Sequence, residues 1–170
     1  MKQDLAFENT HPHLNEFMQL LKVSNNESDR GAVLVHADML DGLLKRSIEA
    51  YLLKHKDIVK LTNGFNSPIG TLSARALLAF AVGVISEREY HEIELIRKIR
   101  NGFAHSIDMS FDNQRMAAHC AALTFAADGP EAPRDPRGRF KTSVFSLTLN
   151  LVNRPHYASQ RRLSYQEWHY

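Results

Sequence analysis

Apolar residues recur at helical spacing through most of the chain. The longest series advances by three or four residues at a time and consists of Val33, Ala37, Leu40, Leu44, Ile48 and Leu52. Such steps trace one face of an α-helix. The polar stretch before this series ends in Ser28 and Asp29, and either side chain can accept hydrogen bonds from the free amides of a first helical turn. We therefore predict a long helix that begins at Ser28 or Asp29 and runs to about Leu52.

Shorter apolar series predict four further helices, which cover approximately residues 11–22, 71–84, 87–102 and 113–126. Asp112 is the predicted N-cap of the last of them. Residues 55–70 contain Asn-Gly, Ser-Pro and a further glycine, so we expect an ordered loop there. Residues 127–139 contain three prolines and two glycines and are predicted to form a second loop.

The helix predicted at 87–102 has signals at both ends. Ser86 and Glu89 have the spacing of a capping box, in which each side chain accepts a hydrogen bond from the other residue's backbone amide. Glutamates occupy the first half of the helix and basic residues its last turn, an order that suits the helix dipole. Gly102 favours an exit from the helix through a left-handed conformation.

The segment 140–152 fits two patterns. Helical spacing connects Phe140, Val144, Leu147 and Leu151, whereas the alternation of a strand connects Leu147, Leu149 and Leu151. Helices elsewhere and the lack of a partner strand favour a helix. We therefore predict an all-α fold, a single domain spanning residues 1–170 and built as a bundle of about five to seven helices, with residues 1–10 as a flexible end.

Composition places this bundle in the cytoplasm. The chain is 44% hydrophobic and 24% charged, which is ordinary for a globular protein. Cys120 is the only cysteine, so an intramolecular disulfide is impossible and a reducing compartment is expected. The first ten residues do not have the pattern of a signal peptide, and no apolar run is long enough for a membrane span.

Basic residues are concentrated near the C-terminus. Residues 132–170 contain seven lysines and arginines against two acids, although the net charge of the whole chain is only +2. The basic segment 155–170 could attract a nucleic acid, or it could be a solvated end. We also expect Trp168 and Tyr170 to pack back onto the bundle.

An arginine and a histidine stand at the end of the helix predicted at 87–102. The pattern Arg100-Asn101-x-x-x-His105 resembles the R-x4-6-H signature of HEPN-type ribonucleases, although Ile107 stands where one antitoxin-paired branch carries a tyrosine. The resemblance implies metal-independent RNA cleavage between paired protomers, with Arg100 stabilising phosphate charge, Asn101 supporting it and His105 acting as acid and base. We expect Arg100 and His105 to share a solvent-reachable pocket. Local roles at the helix terminus are the alternative for both residues.

A second resemblance covers residues 67–106. The matching pattern combines Pro68-x-Gly70-x-x-Ser73-x-Arg75 with Ala81-x-Gly83-x-Ile85 and Tyr90. This pattern resembles the core block of the mannitol operon repressor (MtlR) family. The resemblance implies an all-helical, cytoplasmic, homodimeric negative regulator of transcription, and it supplies no catalytic residues.

The residues of this block also predict a contact between helices. Arg75 lies one turn inside its helix and can reach Asp38 or Asp41 of the long helix. A structural ion pair is favoured over a ligand site, because such a pair fixes the register of two helices. His36, in the same long helix, is predicted to be a satisfied interior residue or an interhelical contact and not a catalytic residue.

Two functions remain open from the sequence. The first is a regulator that works through an unknown protein partner, because the glutamates at the start of the helix at 87–102 would repel DNA phosphates. The second is the HEPN-like endoribonuclease, or a toxin-type module of the same kind that binds RNA through Arg100 and His105 without cleaving it. Either protein could contact nucleic acid through Arg97, Arg100 or the basic C-terminal segment. The spacing of histidines and cysteine indicates no metal site, and no motif indicates a cofactor.

Overall fold

The computed structural model describes residue 18, residues 27–64 and residues 66–169. Within these ranges the chain forms helices and no strand, which confirms the predicted all-α fold. The α-helices, in chain order, are α1 Asp29–Tyr51, α2 Val59–Thr62, α3 Leu72–Ala81, α4 Glu87–His105, α5 Gln114–Ala121, α6 Pro136–Leu151 and α7 Arg154–Gln160. A 3-10 turn, Lys56–Ile58, leads into α2. Three predictions lie outside these ranges: the flexible end at 1–10, the helix at 11–22 and the packing of Tyr170. Met18 is the exception, and it is helical.

Helix α1 is the centre of the bundle and contacts α3, α4, α6 and α7. Its predicted start is confirmed, because the Ser28 side chain caps the helix by accepting a hydrogen bond from the Gly31 amide at 3.1 Å. Most of the apolar face read from the sequence is buried, including Val33, Leu40, Leu44 and Ile48, whereas its last member, Leu52, is half-buried. Burial of such a face is what stabilises a helix in a folded protein.

The capping box at the start of α4 is confirmed. The Ser86 hydroxyl accepts a hydrogen bond from the Glu89 amide at 3.3 Å, and the Glu89 carboxylate accepts one from the Ser86 amide at 2.7 Å. The predicted end of this helix is wrong, since α4 continues past Gly102 to His105. Gly102 is buried where α4 crosses α5, and a Cβ atom added there would lie 2.7 Å from the Met116 sulfur. This glycine permits a close helix crossing instead of a helix end.

Other boundaries differ from the predicted ones for local reasons. The N-cap of α5 is Asn113, whose side chain accepts hydrogen bonds from the next amides, and not Asp112; the helix ends at Ala121 instead of residue 126. The predicted loop 55–70 contains the 3-10 turn and α2. The loop predicted at 127–139 ends early, because Asp135 caps α6 and Pro136 begins it. The helix favoured at 140–152 is confirmed as the main part of α6.

A buried carboxylate fixes α4 to the connection between α5 and α6. Glu92 accepts hydrogen bonds from the amides of Thr124 at 2.9 Å and Phe125 at 3.0 Å. It also accepts bonds from the hydroxyls of Thr124 and Ser143 at 3.0 Å and 2.6 Å. These bonds satisfy both carboxylate oxygens without a cation, so the position of α4 relative to α6 is closely defined.

The C-terminal segment leaves the bundle after α7. The Leu163 amide donates to the Tyr51 carbonyl at 2.8 Å, and the Arg162 side chain donates to the Leu52 carbonyl at 3.0 Å. Residues 164–169, beyond this point, have no regular secondary structure, and Trp168 is 78% exposed. The prediction that Trp168 packs onto the bundle is therefore wrong. None of the helices in the described ranges has the length and hydropathy needed to cross a bilayer.

Candidate functional site

Arg75 connects the start of α3 to α1 and α2. Its guanidinium pairs with the Asp41 carboxylate of α1. The same side chain donates to the Ile69 carbonyl at 3.0 Å and to the Thr62 carbonyl at 3.2 Å. Because Arg75 is buried and fully used by these acceptors, the arrangement is that of a structural ion pair. Asp38, the other predicted partner, is exposed and takes no part in it.

A cavity of about 710 Å³ lies beside this pair, and we call it the charged cleft. Helix α1 supplies an acidic wall with Asp38 and Asp41, one turn apart. Helix α4 supplies a basic wall with Arg97, Arg100 and Asn101. Residues 70–73, at the start of α3, close one end. The spacing of three or four residues on each helix places these side chains on single faces that look across the cleft.

The acidic wall carries an unsatisfied group. Burial raises the pKa of Asp41, the neighbouring Asp38 raises it further, and Arg75, Lys45 and Arg100 act against both. One carboxylate oxygen of Asp41, Oδ1, is buried and accepts no hydrogen bond from any residue that the structure describes. Asp41 is thus partly stabilised by its cation and retains one free acceptor.

The basic wall is divided between an occupied and an available cation. Arg97 makes a two-pronged contact with Glu94 on its own helix, at 2.9 Å and 2.7 Å, which lowers the pKa of Glu94. Arg100 instead donates to the neutral Asn101 side chain at 3.2 Å and has no carboxylate partner within residues 27–64 and 66–169. Arg100 is therefore the cation of this cleft that can still bind an anionic group.

His105 lies elsewhere. It lines a second cavity, of about 480 Å³, on the side of α4 that faces α5. Arg100 and His105 are five residues apart, which on an α-helix means an angle of about 140° between their side chains. Neither cavity brings the two groups together, and only Asn101 lines both. A catalytic role for Arg100 and His105 stays a prediction, and it would need a second chain to unite them.

The second cavity contains residues that sequence reasoning missed. We call this second cavity the basic cavity. Its polar lining consists of Lys98, Asn101, His105, Ser106, Arg115 and His119. The available signal was the helical spacing of Lys98, Asn101 and His105 and of Arg115 and His119. Arg115 and His119 were missed because the sequence of one helix does not show which residues of another helix lie beside it.

The core contains two buried titratable side chains, Cys120 and His36. Burial raises the pKa of the Cys120 thiol to about 12, so this residue is an unreactive part of the core. His36 is also interior, between the rings of Phe140 and Phe145. Neither of its ring nitrogens has a hydrogen-bond partner in the described part of the chain. The predicted interior or interhelical position is confirmed, but the ring nitrogens are not satisfied, because the rings packed against His36 are aromatic side chains of α6.

Most of the basic C-terminal residues are engaged with the protein itself. Arg139 donates to three carbonyl oxygens at the end of α5 and just beyond it. Arg154 binds Glu89 at 2.7 Å and the Val84 carbonyl at 2.6 Å. Arg137 pairs with Asp29 at 2.6 Å. These cations stabilise the fold and offer less charge to a nucleic acid than their number indicates.

Comparisons with known proteins concern the fold. No protein-family model matches the chain, and no curated protein matches its sequence. Among solved structures, the chain is similar to one described as "X-ray structure of the MtlR-HPr complex from Escherichia coli". The TM-score is 0.58 with 21% identity, over 91% of this chain and 99% of that chain. At this identity the similarity shows the fold alone, an MtlR-like arrangement of helices.

Proposed function

We propose that this protein is a regulator of the mannitol operon repressor type that acts through a protein partner. The observation that supports the proposal is the fold similarity, which extends over 91% of the chain to a structure of MtlR in complex with HPr. The block at residues 67–106 that resembles the MtlR family comprises α3, α4 and the residues 70–73 that line one end of the charged cleft. The proposed partner is accordingly a protein of the HPr type.

The surface chemistry favours a protein partner over DNA. The first turn of α4 contains Glu87, whose side chain is 77% exposed, and this end of a recognition helix would meet the phosphates of a DNA groove. The charged cleft has an acidic wall and a basic wall, which complement the mixed charges of a protein surface better than a polyanion. Beside it, α3 presents apolar side chains to solvent, with Leu77 56% and Phe80 37% exposed.

The experiment is a direct titration. Purified HPr from the same organism is added to the full-length chain in a calorimeter, and we expect a saturable one-to-one complex. Arg100→Glu should weaken it at least about tenfold if the basic wall contacts the partner. Lys60→Glu is the matched control, because Lys60 is exposed on α2 and does not line the cleft. A lack of heat and of co-elution at about 100 μM of both proteins would end the proposal of an HPr-type partner.

Homodimerisation, which the family resemblance implies, is the second part of the proposal. Sedimentation velocity of the wild-type chain should give the mass of a dimer at micromolar concentration. Leu77→Glu places a charge on the exposed apolar face of α3 and should shift the protein to monomer if that face is the dimer contact. A wild-type chain that sediments as a monomer at every accessible concentration would refute this part.

A further inference from the structure

The basic cavity lies between α4 and α5, which pack closely at Gly102. Lys98, Asn101, Gly102 and His105 occupy positions i, i+3, i+4 and i+7 of α4 and form one face of that helix. Arg115 and His119 are one turn apart on α5. The two faces meet across the crossing of α4 and α5, and together they line the cavity.

Gly102 is the reason that the two faces can meet. A Cβ atom at this position would lie 2.7 Å from the sulfur and 2.9 Å from the terminal methyl of Met116, which is buried in α5. Glycine inside a helix is unfavourable by roughly 1 kcal/mol relative to alanine. Its presence here therefore has a packing reason, and the close crossing brings the charged side chains of both helices to one opening.

The cations of this cavity lack acidic partners. No Asp or Glu is among the described residues that line it. The side chains of Lys98 and Arg115 form no hydrogen bond or ion pair with any described residue, whereas Arg97, the neighbour of Lys98, is bound by Glu94 at 2.7 Å. Glu94 still attracts Lys98 at longer range, as the lowered pKa of Glu94 reflects.

Lys98 and Arg115 also act on a third group of the cavity, His119. Burial lowers the pKa of His119, and the charges of Lys98 and Arg115 lower it further. Both cations are thus close enough to act on the same imidazole although they belong to different helices. An anion placed beside Lys98 and Arg115 would be attracted to both cations and would relieve their mutual repulsion.

We propose that the basic cavity binds the phosphate group of a small phosphorylated molecule. Arg115 offers a planar pair of donors to two phosphate oxygens, and Lys98 supplies a compact second charge, so that two permanent cations meet a dianion. The Ser106 hydroxyl, the Asn101 amide and the imidazole of His119 are further donors in the lining. Met109 provides an apolar surface for the rest of the molecule.

The shape of the cavity favours a small ligand over a nucleic acid. Its volume of about 480 Å³ lies in the range of small-molecule sites. The cations converge from two helices on one opening, whereas a nucleic-acid surface places them along a track.

This site goes beyond the proposed partner and does not depend on it. A regulator that recognises a phosphorylated small molecule can respond to metabolism whether or not it binds an HPr-type protein. The two proposals use different cavities and different variants, so either can fail while the other holds.

The test is calorimetric titration of the full-length chain at pH 7.5 and constant ionic strength. Inorganic phosphate, glycerol 3-phosphate and a 12-nucleotide RNA are titrated separately, and glycerol serves as the ligand without phosphate. We expect saturable binding of inorganic phosphate and tighter binding of glycerol 3-phosphate, with no response to glycerol. Lys98→Gln and Arg115→Gln should each weaken the binding of glycerol 3-phosphate by about tenfold or more, the loss expected for one charged hydrogen bond.

The control variant is Arg134→Gln, which removes an exposed arginine remote from this cavity and should leave the affinity unchanged. Circular dichroism and the unfolding midpoint of each variant without ligand establish that the fold is retained. An absence of phosphate binding, or equal affinity in all variants, would overturn the proposal. Binding of the RNA that exceeds that of glycerol 3-phosphate and increases with length would overturn it in favour of a nucleic-acid site.

Discussion

Replacing His36 with phenylalanine should stabilise this protein, and the structure allows the size of the effect to be worked out. The His36 ring is fully buried in α1, with its centroid 5.8 Å from that of Phe140 and 5.3 Å from that of Phe145. Both ring nitrogens lack hydrogen-bond partners in the described ranges, and a buried unsatisfied polar group costs about 1–3 kcal/mol. Phenylalanine keeps the aromatic contacts and removes this penalty. Allowing for its slightly larger ring, we expect a gain of about 1–2 kcal/mol at pH 7.

The gain should increase in acid. Burial, with a smaller contribution from Lys141, lowers the pKa of His36 from 6.5 to about 4. Between pH 6.5 and about pH 4, His36 is protonated in the unfolded chain and neutral in the folded chain. The free energy of unfolding therefore decreases as the pH falls through this range. From the two pKa values, His36 removes about 2 kcal/mol of stability between pH 7 and pH 5. Phenylalanine has no such linkage, and His36→Phe should therefore stabilise by about 3–4 kcal/mol at pH 5.

The assay is urea unfolding followed by circular dichroism, for wild type and His36→Phe at pH 7 and pH 5. All other titrating groups are common to both proteins, so the difference between the two stabilisations isolates His36. His169→Phe changes an exposed histidine instead and should alter neither value by more than about 0.5 kcal/mol. The reasoning is refuted if His36→Phe stabilises equally at both pH values, or if it destabilises the protein at pH 5.

Three further predictions concern α4. Glu92→Gln turns one acceptor oxygen into a donor that must face a buried amide, and urea unfolding should show a loss of about 3 kcal/mol, against less than about 0.5 kcal/mol for the exposed Glu87→Gln. Gly102→Ala should destabilise by about 1–2 kcal/mol through the contact with Met116, whereas Gly42→Ala in α1, where a Cβ meets nothing within 4 Å, should stabilise by up to about 1 kcal/mol. Purified protein incubated with total RNA and EDTA should leave the RNA intact, since Arg100 and His105 line different cavities. Cleavage that disappears in both Arg100→Ala and His105→Ala would instead establish the HEPN-like activity.

Local signals allowed much of the fold to be predicted from the sequence. The Ser28 cap and the Ser86–Glu89 capping box depend on residues within one turn of each other, so the chain itself contains the information. The end of α4 could not be predicted in this way. A glycine near a basic turn has the pattern of a helix end, but at Gly102 the decisive neighbour is Met116, which belongs to another helix.

The candidate site was predictable only in part for the same reason. An ion pair between Arg75 and α1 was expected, and the packing of α3 decides that the partner is Asp41 and not Asp38. Helical geometry could have separated Arg100 from His105, because five residues do not return to the same face. Lys98 and Arg115 line one cavity because α4 and α5 cross, and nothing in the sequence of either helix predicts this crossing.

The position of Asn101 has a practical consequence for genetics. Because Asn101 lines both the charged cleft and the basic cavity, a substitution there changes the lining of two compartments at once. A loss-of-function allele at codon 101 would thus report on both, and dissecting them requires alleles at Arg100 on one side and Arg115 on the other.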